Sequence, residues 1–273
     1  MVYLAIAKIN GIMSFSKWIG ASLGWAFGGP IGAIIGLALG SMVEGFSKSD
    51  FEKKLGEGHT AKSQRRQHQT YERPQRQTPT TKSGDFEVSL LVLASVVIKA
   101  DGTQDQRELD FVRQQFVAMY GKDRANSAFR LFKDINQQQV PLRQVCQQIQ
   151  RMMDHPSRLQ LLHFLFGIAK ADGIVTEAEV GQIYTISGYL GISSRDYESI
   201  KAMFYDSADN AYKILEIDKG ATVNEIKAAY RKMAKKYHPD RVVHLGEEHQ
   251  KGAAEKFRQV QQAYEKLQKE LKF

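Results

Sequence analysis

The sequence predicts an all-α protein in which an N-terminal membrane-spanning helix is tethered to two helical domains. Three observations carry this expectation. From Trp18 to Val43 no charged residue occurs, a run longer than the roughly 20 residues that span a bilayer as a helix. Beyond Phe86, apolar residues recur at helical spacing almost to the C-terminus, the signature of amphipathic and buried helices. Within that part a phrase repeats: Lys99-Ala100-Asp101-Gly102 with Glu108 behind it returns as Lys170-Ala171-Asp172-Gly173 with Glu179 at the same interval.

Composition sets the outer limits. A chain of 273 residues accommodates two small domains and additional segments. The net charge of +8 is spread along the chain and fits a membrane surface or an acidic protein partner at least as well as nucleic acid. No basic–aromatic RNA motif or Gly-rich phosphate loop accompanies it, so no nucleic-acid partner is expected. The single cysteine, Cys146, lies in an apolar helical pattern. It rules out a disulfide framework, argues against a Cys-based metal site and fits a reducing compartment.

After an N-terminal segment, 1–17, the transmembrane helix is placed at 18–46. Gly20, Gly24, Gly28, Gly32, Gly36 and Gly40 recur every fourth residue, which keeps them near one face and leaves a groove for a second helix. Consecutive GxxxG units of this kind read as a glycine-zipper association surface and predict a homodimer. Trp18 suits an interfacial belt. Gly29-Pro30 in mid-span predicts a kink, with a re-entrant hairpin as the alternative. A buried soluble helix fits less well, because so many glycines form helix poorly in water. A cleavable signal peptide also fits badly, since the apolar run is too long and no distinct small-residue cleavage site follows. Lys8 and Lys17 precede the span, whereas Lys48, Lys53, Lys54, Lys62, Arg65 and Arg66 follow it. The heavier basic side should face the cytoplasm, giving a single-pass bacterial inner-membrane protein with a cytoplasmic C-terminal bulk. Met13 stands as an alternative start.

Residues 47–84 are rich in Gln, Lys, Arg, Thr and Ser, with few apolar residues after Leu55. Such a stretch buries too little surface to offset chain entropy and reads as a flexible basic linker. The next domain is placed at 85–205. Leu90–Ile98 and Leu159–Ala169 are apolar nearly all round, so each reads as a central core helix. The repeated phrase follows each of them and predicts two related halves about a pseudo-twofold axis. Asp105-x-x-Glu108 and Thr176-x-x-Glu179 both match a capping box, which accounts for both glutamates without any ligand. His163 reads as a buried, hydrogen-bonded histidine, and no catalytic constellation surrounds Cys146.

The last domain, 208–273, is organised by Tyr237-His238-Pro239-Asp240. Ile226, Tyr230, Met233, Ala234 and Tyr237 make one apolar helical face, with Lys227, Arg231 and Lys235 on a neighbouring one and Lys232 and Lys236 beside them. Pro239 ends that helix, because it lacks an N–H and disfavours the α region in the residue before it. Beyond a polar loop, Phe257, Val260, Tyr264, Leu267 and Leu271 form a second stripe. Facing stripes with a tight tip between them predict an antiparallel helical hairpin.

This last domain resembles the J domain of the DnaJ-type co-chaperones. The resemblance also takes in Ala211-Tyr212-Lys213-Ile214-Leu215, like that family's short first helix, and Phe257–Tyr264, like its third. It implies that His238 and Asp240 make polar contacts to a DnaK-type chaperone, that Pro239 fixes the loop, and that Tyr237, Lys227, Arg231, Lys232, Lys235 and Lys236 complete the docking face. The fourth helix of longer family members is expected to be missing or vestigial. The absence of a Gly/Phe-rich region and a Cys-rich zinc module after the domain argues against a general substrate-holding role. The Lys-Ala-Asp-Gly…Glu phrases are similar to those of the TerB tellurite-resistance family. That resemblance implies a divalent cation, Ca²⁺ or Mg²⁺, with Asp101, Glu108, Asp172 and Glu179 as candidate ligands, while capping remains the other reading of the same residues. The pattern is no EF-hand, because alternating Asp/Asn ligand positions are missing. No other cofactor is expected.

In architecture the whole chain resembles the membrane-anchored bacterial branch of the DnaJ family. The expected function is a non-enzymatic co-chaperone that recruits a DnaK-type chaperone to the membrane and triggers its ATP hydrolysis, the TerB-like domain serving client, signal or oligomer contacts. Two alternatives stand beside it: a metal-responsive TerB-type sensor or scaffold with an accessory J domain, and a metal-dependent hydrolase in the middle domain.

Overall fold

The computed structural model of the chain describes residues 28–39, 83–100, 102, 105–171, 173, 175–205, 207 and 209–273. Every regular element among these residues is helical. Helix α1 covers 28–39. There follow α2 (Ser83–Val97), α3 (Gln106–Tyr120), α4 (Lys122–Asn136), α5 (Leu142–Met152), α6 (His155–Ala169), α7 (Glu177–Tyr189) and α8 (Ser194–Ala202). The chain continues through α9 (Asn210–Ile214), α10 (Val223–Lys236), a 3-10 helix (Pro239–Leu245) and α11 (Glu247–Leu271).

Helices α2 and α6 are the two all-round apolar stretches, and they pack against each other at the centre of the first bundle. Phe86, Leu90–Ala94 and Val97 of α2 are buried, as are Leu159, Leu161, Leu162, Phe164–Phe166, Ile168 and Ala169 of α6. Phe86 meets Phe164 edge-on with centroids 6.2 Å apart. Each fully buried Leu or Phe here is worth about 1.5–3 kcal/mol relative to exposure. Helix α6 starts cleanly because the Asp154 carboxylate accepts from the Ser157 N–H at 2.9 Å and Pro156 occupies the first turn, where no N–H is needed.

The two repeated phrases adopt the same turn. Ala100 N–H donates to Val97 O at 2.9 Å and Gly102 N–H to Lys99 O at 3.2 Å; Ala171 donates to Ile168 O at 2.9 Å and Gly173 to Lys170 O at 3.0 Å. Gly102 and Gly173 take φ of +79° and +93°, a conformation that a Cβ makes costly. The glycines of the phrases therefore reverse the chain after each core helix. The caps that follow differ. Thr176 and Glu179 form the anticipated box, with Thr176 N–H and Oγ1–H donating to Glu179 Oε2 and Glu179 N–H returning to Thr176 Oγ1. Asp105 instead accepts from the Arg107 N–H at 2.7 Å, one residue short of the expected partner, and the Arg107 guanidinium folds back onto the same carboxylate. That salt-bridged pairing draws the Asp105 carboxylate away from the Glu108 N–H.

The expected membrane span lies largely outside the described residues, including Trp18, Gly20, Gly24 and Gly40. Among the described residues no helix is long and apolar enough to cross a membrane. Within α1, Ile31, Ile34 and Ala38 are buried, while Gly28, Gly32 and Gly36 occupy a different, half-buried face. Gln148 of α5 holds the start of α1, donating to Gly28 O at 2.6 Å and accepting from the Ile31 N–H at 3.0 Å. Gly29 takes φ of +59° beside Pro30 at the start of α1, and the residues before it, needed to judge the expected mid-span kink, lie outside the described residues. Most of the linker assigned to 47–84 also lies outside the described residues. Its last two positions belong to α2, which begins at Ser83 because Asp85 sits in the first turn and complements the helix dipole.

Candidate functional site: the His-Pro-Asp hairpin

Helix α10 begins with a capping box: Thr222 N–H donates to Glu225 Oε2 at 2.7 Å, and Glu225 N–H to Thr222 Oγ1 at 3.4 Å. Hydrogen bonds from the Thr222 backbone and hydroxyl lower the Glu225 carboxyl below its ordinary value. Ile226, Met233 and Tyr237 are buried as the apolar stripe predicts, so Tyr237, also assigned to the docking face, is not open to a partner here; Ala229 is added to the stripe, while Tyr230 and Ala234 are half-buried. Tyr230 stacks on Tyr264 of α11, ring centroids 4.3 Å apart, a contact worth about 0.5–1.5 kcal/mol beyond its area.

The Tyr237 N–H closes the last turn on Met233 O at 2.9 Å, and the chain leaves the helix at His238. Pro239 occupies the first position of the 3-10 helix, with no N–H to leave unsatisfied. The His238 ring organises the tip. Its Nδ1 accepts from the Asp240 N–H at 3.3 Å, its carbonyl accepts from the Arg241 N–H at 3.0 Å, and its ring meets Phe257 edge-on at 5.7 Å. The Asp240 side chain is left 80% exposed and that of His238 49%. The loop thus presents an open carboxylate on a hydrogen-bonded frame.

The cations divide into two groups. Lys227, Arg231, Lys232 and Lys235 are exposed, whereas Lys236 is only 19% exposed. Lys232 donates to Glu216 at 3.1 Å, and Lys236 donates to both Glu216 and Asp196. Glu216 reaches this position from a left-handed backbone, φ +56°. Asp196 belongs to α8 of the first bundle. Burial works to raise its carboxyl, but hydrogen bonds from His155, Lys236 and Ser193 outweigh burial and hold it well below the carboxylate range.

Along α11 the buried positions are Ala253, Lys256, Val260, Ala263 and Leu267. The stripe read from the sequence is therefore corrected: Phe257 and Tyr264 are half-buried flanks, and Leu271, the last residue of the helix, is 45% exposed. Lys256 is the residue that sequence reasoning missed. Its ammonium lies over the Tyr237 ring at 5.6 Å, and no carboxylate pairs with it among the described residues. Burial lowers its pKa to about 7. Its spacing from Ala253 and Val260 could have revealed it, had a lysine been allowed on an apolar stripe. Across from it, His163 packs on Phe204 at 4.7 Å with Nε2 enclosed and unpaired, so the expected hydrogen bond at that nitrogen is not found among the described residues. Burial, with the nearby Lys256 charge, holds the imidazole neutral far below its ordinary pKa. Burial also pushes the Cys146 thiol up to about 12, leaving it an inert core residue.

Of the four candidate metal ligands, Asp101 and Asp172 lie outside the described residues, and Glu108 and Glu179 are buried near the starts of α3 and α7. Glu179 spends its carboxylate on the Thr176 cap. Among the described residues no group of three or more His, Cys, Asp or Glu side chains is placed to hold a metal ion.

Comparison with known proteins follows this division. Residues 13–50 match the family model for the co-chaperone DjlA transmembrane domain, 87–202 that for tellurite resistance protein TerB, and 210–272 that for the DnaJ domain. The chain is 28% identical to co-chaperone protein DjlA of Coxiella burnetii, across 93% of this chain and 96% of that protein. It is 26% identical to the protein of the same name from Haemophilus influenzae, across 91% and 95%. The hairpin alone is 54% identical to chaperone protein DnaJ of Lactococcus lactis over 61 residues, 14% of that protein. No solved structure matches.

Proposed function

We propose that this DjlA-like member of the DnaJ co-chaperone family, with its transmembrane, TerB and DnaJ domains, recruits a DnaK-type chaperone to a membrane and stimulates its ATP hydrolysis. The observation that carries the reading is the tip of the hairpin: an open Asp240 carboxylate held on His238 and Pro239, beside exposed Lys227, Arg231, Lys232 and Lys235. A carboxylate on a pre-ordered loop loses little conformational freedom on docking. Flanking cations raise the rate of encounter with an acidic surface. The chemistry then belongs to the partner, and this chain acts as its trigger without a cofactor.

The same reading places a single-pass helix at 18–46 in a bacterial inner membrane, the linker at 47–84, and the TerB-like and J domains, 85–205 and 208–273, in the cytoplasm. The glycine row Gly20–Gly40 would make the contact between two copies. Support comes from the match of residues 13–50 to a transmembrane domain model. Glu108 and Glu179, with Asp101 and Asp172, are proposed as capping and turn residues in preference to cation ligands, on the strength of the Thr176–Glu179 box.

The test is the steady-state ATPase rate of a purified DnaK-type chaperone with the full chain in lipid nanodiscs, beside the His238→Gln variant. Stimulation by the first and its loss in the second is the expected result. No stimulation by either would overturn the co-chaperone reading.

A further inference from the structure

The J domain lies docked against the TerB-like bundle, on the side of the hairpin behind the exposed tip. Polar contacts cross the junction at three places. Lys236, the last residue of α10, donates to Asp196 of α8, which the His155 ring also approaches at 3.4 Å. His244 of the 3-10 helix sits 3.2 Å from the Asp154 carboxylate and 3.2 Å from Ser157 Oγ. Ser199 Oγ of α8 donates to Ile214 O at the end of α9, 2.9 Å away and fully buried. Between them Tyr237, Val242 and Leu245 are buried. Gly252 admits the Gln160 amide so closely that a Cβ would stand 2.5 Å from its nitrogen.

Two features mark this junction as separable. Ionic and polar contacts surround its buried apolar patch of Tyr237, Val242 and Leu245, a mixed character more polar than the apolar centres of the two units. It also encloses groups that water would satisfy: both polar atoms of the Gln160 amide and His163 Nε2 lack partners, and the Lys256 ammonium has only an aromatic face. Each buried unpaired polar group has given up its hydration without a replacement partner, and opening relieves that cost.

We propose that the face formed by Asp154, Ser157 and Asp196 is a clamp for the J domain, holding Lys236 away from the acidic surface of the chaperone partner until the two units separate. The carboxylate of Asp196 competes with that partner for the same ammonium. In the clamped state the hairpin offers Asp240 and the outer cations, and in the open state Lys236, left with Glu216 of its own domain as sole carboxylate partner, becomes accessible as well. The consequence for the partner rests on the co-chaperone reading, whereas the docking itself does not.

Two measurements on the full chain in nanodiscs separate these parts. Acylation of lysine amines, read residue by residue by mass spectrometry, should show Lys236 protected relative to exposed Lys235. Asp196→Asn should raise its labelling roughly threefold or more, the effect of releasing one charge-assisted hydrogen bond. Because Asp196 also accepts from Ser193 near the start of α8, His244→Gln provides a second opening variant that leaves that helix untouched. Unchanged Lys236 labelling in both variants overturns the clamp. In the ATPase assay, both opening variants should reach half-maximal stimulation at about three- to tenfold lower concentration, as expected when a competent state becomes more populated. Lys236→Met should open the junction without that gain, since it removes the released cation. Opening without a shift in half-point overturns the competition. Absence of stimulation from wild type and all variants condemns the co-chaperone reading, and the labelling still decides whether the clamp exists.

Discussion

Replacing Lys256 by Met should stabilise the protein, and the gain should shrink as pH rises. The side chain is 2% exposed and its pKa falls from 10.5 to about 7 through burial. In the unfolded chain the amine keeps its ordinary value, so between these two values the unfolded state binds more protons than the folded one. Folding therefore carries a penalty that is full below pH 7 and is relieved as pH climbs toward 10.5. At about 1.4 kcal/mol per pKa unit, the penalty near pH 7 is on the order of 4 kcal/mol as an upper bound. Methionine keeps the length of the stem and removes the charge, so a net gain of about 1–3 kcal/mol at pH 7 is expected. By pH 9 the advantage should have fallen by about 2 kcal/mol. The assay is urea unfolding of a fragment beginning just upstream of α2, wild type and variant side by side from pH 6 to 9. His163 stays neutral across this range, and the remaining titrating groups are common to both proteins, so the difference between them isolates Lys256. A difference that stays constant from pH 7 to 9 would mean the amine is hydrated in the folded state, and the reasoning fails.

Two further outcomes follow from the repeat and from the charges. Gly173→Ala should cost about 1–2 kcal/mol in the same unfolding assay, because φ is +93° there and, among the described residues beyond its chain neighbours, no atom lies within 4 Å of the new Cβ, which leaves backbone strain as the cause. Gly102→Ala, at φ +79° and equally open, should match it, and a loss below about 0.5 kcal/mol at both would show that the turns relax freely. Arg231→Glu should slow association with the DnaK-type partner and flatten its dependence on salt. Stopped-flow binding at two salt concentrations checks this, and an unchanged salt slope refutes a steering role for that face.

The bundle was legible wherever one physical signal ruled alone. Leu90–Ile98 and Leu159–Ala169 are apolar on every side, which admits only a buried position, and they became the packed centre as α2 and α6. Gly102 and Gly173 announced their turns because few other residues adopt a positive φ. The His-Pro-Asp tip was legible because proline must end α10 and a buried stripe must precede it. What the sequence hid depends on partners distant along the chain. Asp105 has the spacing of a capping box, yet Arg107 beside it competes for the carboxylate. Lys256 occupies a core position of α11, and only the Tyr237 face explains how its charge is tolerated. Asp196 carries no motif, and it gains meaning once α8 is seen beside the end of α10.

The cations of α10 show how helix geometry turns one charge cluster into two devices. Positions 227, 231 and 235 fall one above another, because residues four apart lie on nearly the same face. Positions 232 and 236 form a second row about 100° further round. The first row stays in solvent, whereas the second faces Glu216 and Asp196 and ties α10 to both units. Surface charges in water contribute little stability but extend a field over about a Debye length, so the first row suits steering. A part-buried ammonium between two enclosed carboxylates acts at short range and is hardly screened, so Lys236 suits holding. The two rows should therefore separate experimentally. Neutralising Lys227 and Lys235 should change the salt dependence of partner association and leave Lys236 labelling as it was. Asp196→Asn should raise Lys236 labelling instead, and first-row variants that moved that labelling together with the salt dependence would show that the rows work as a single patch.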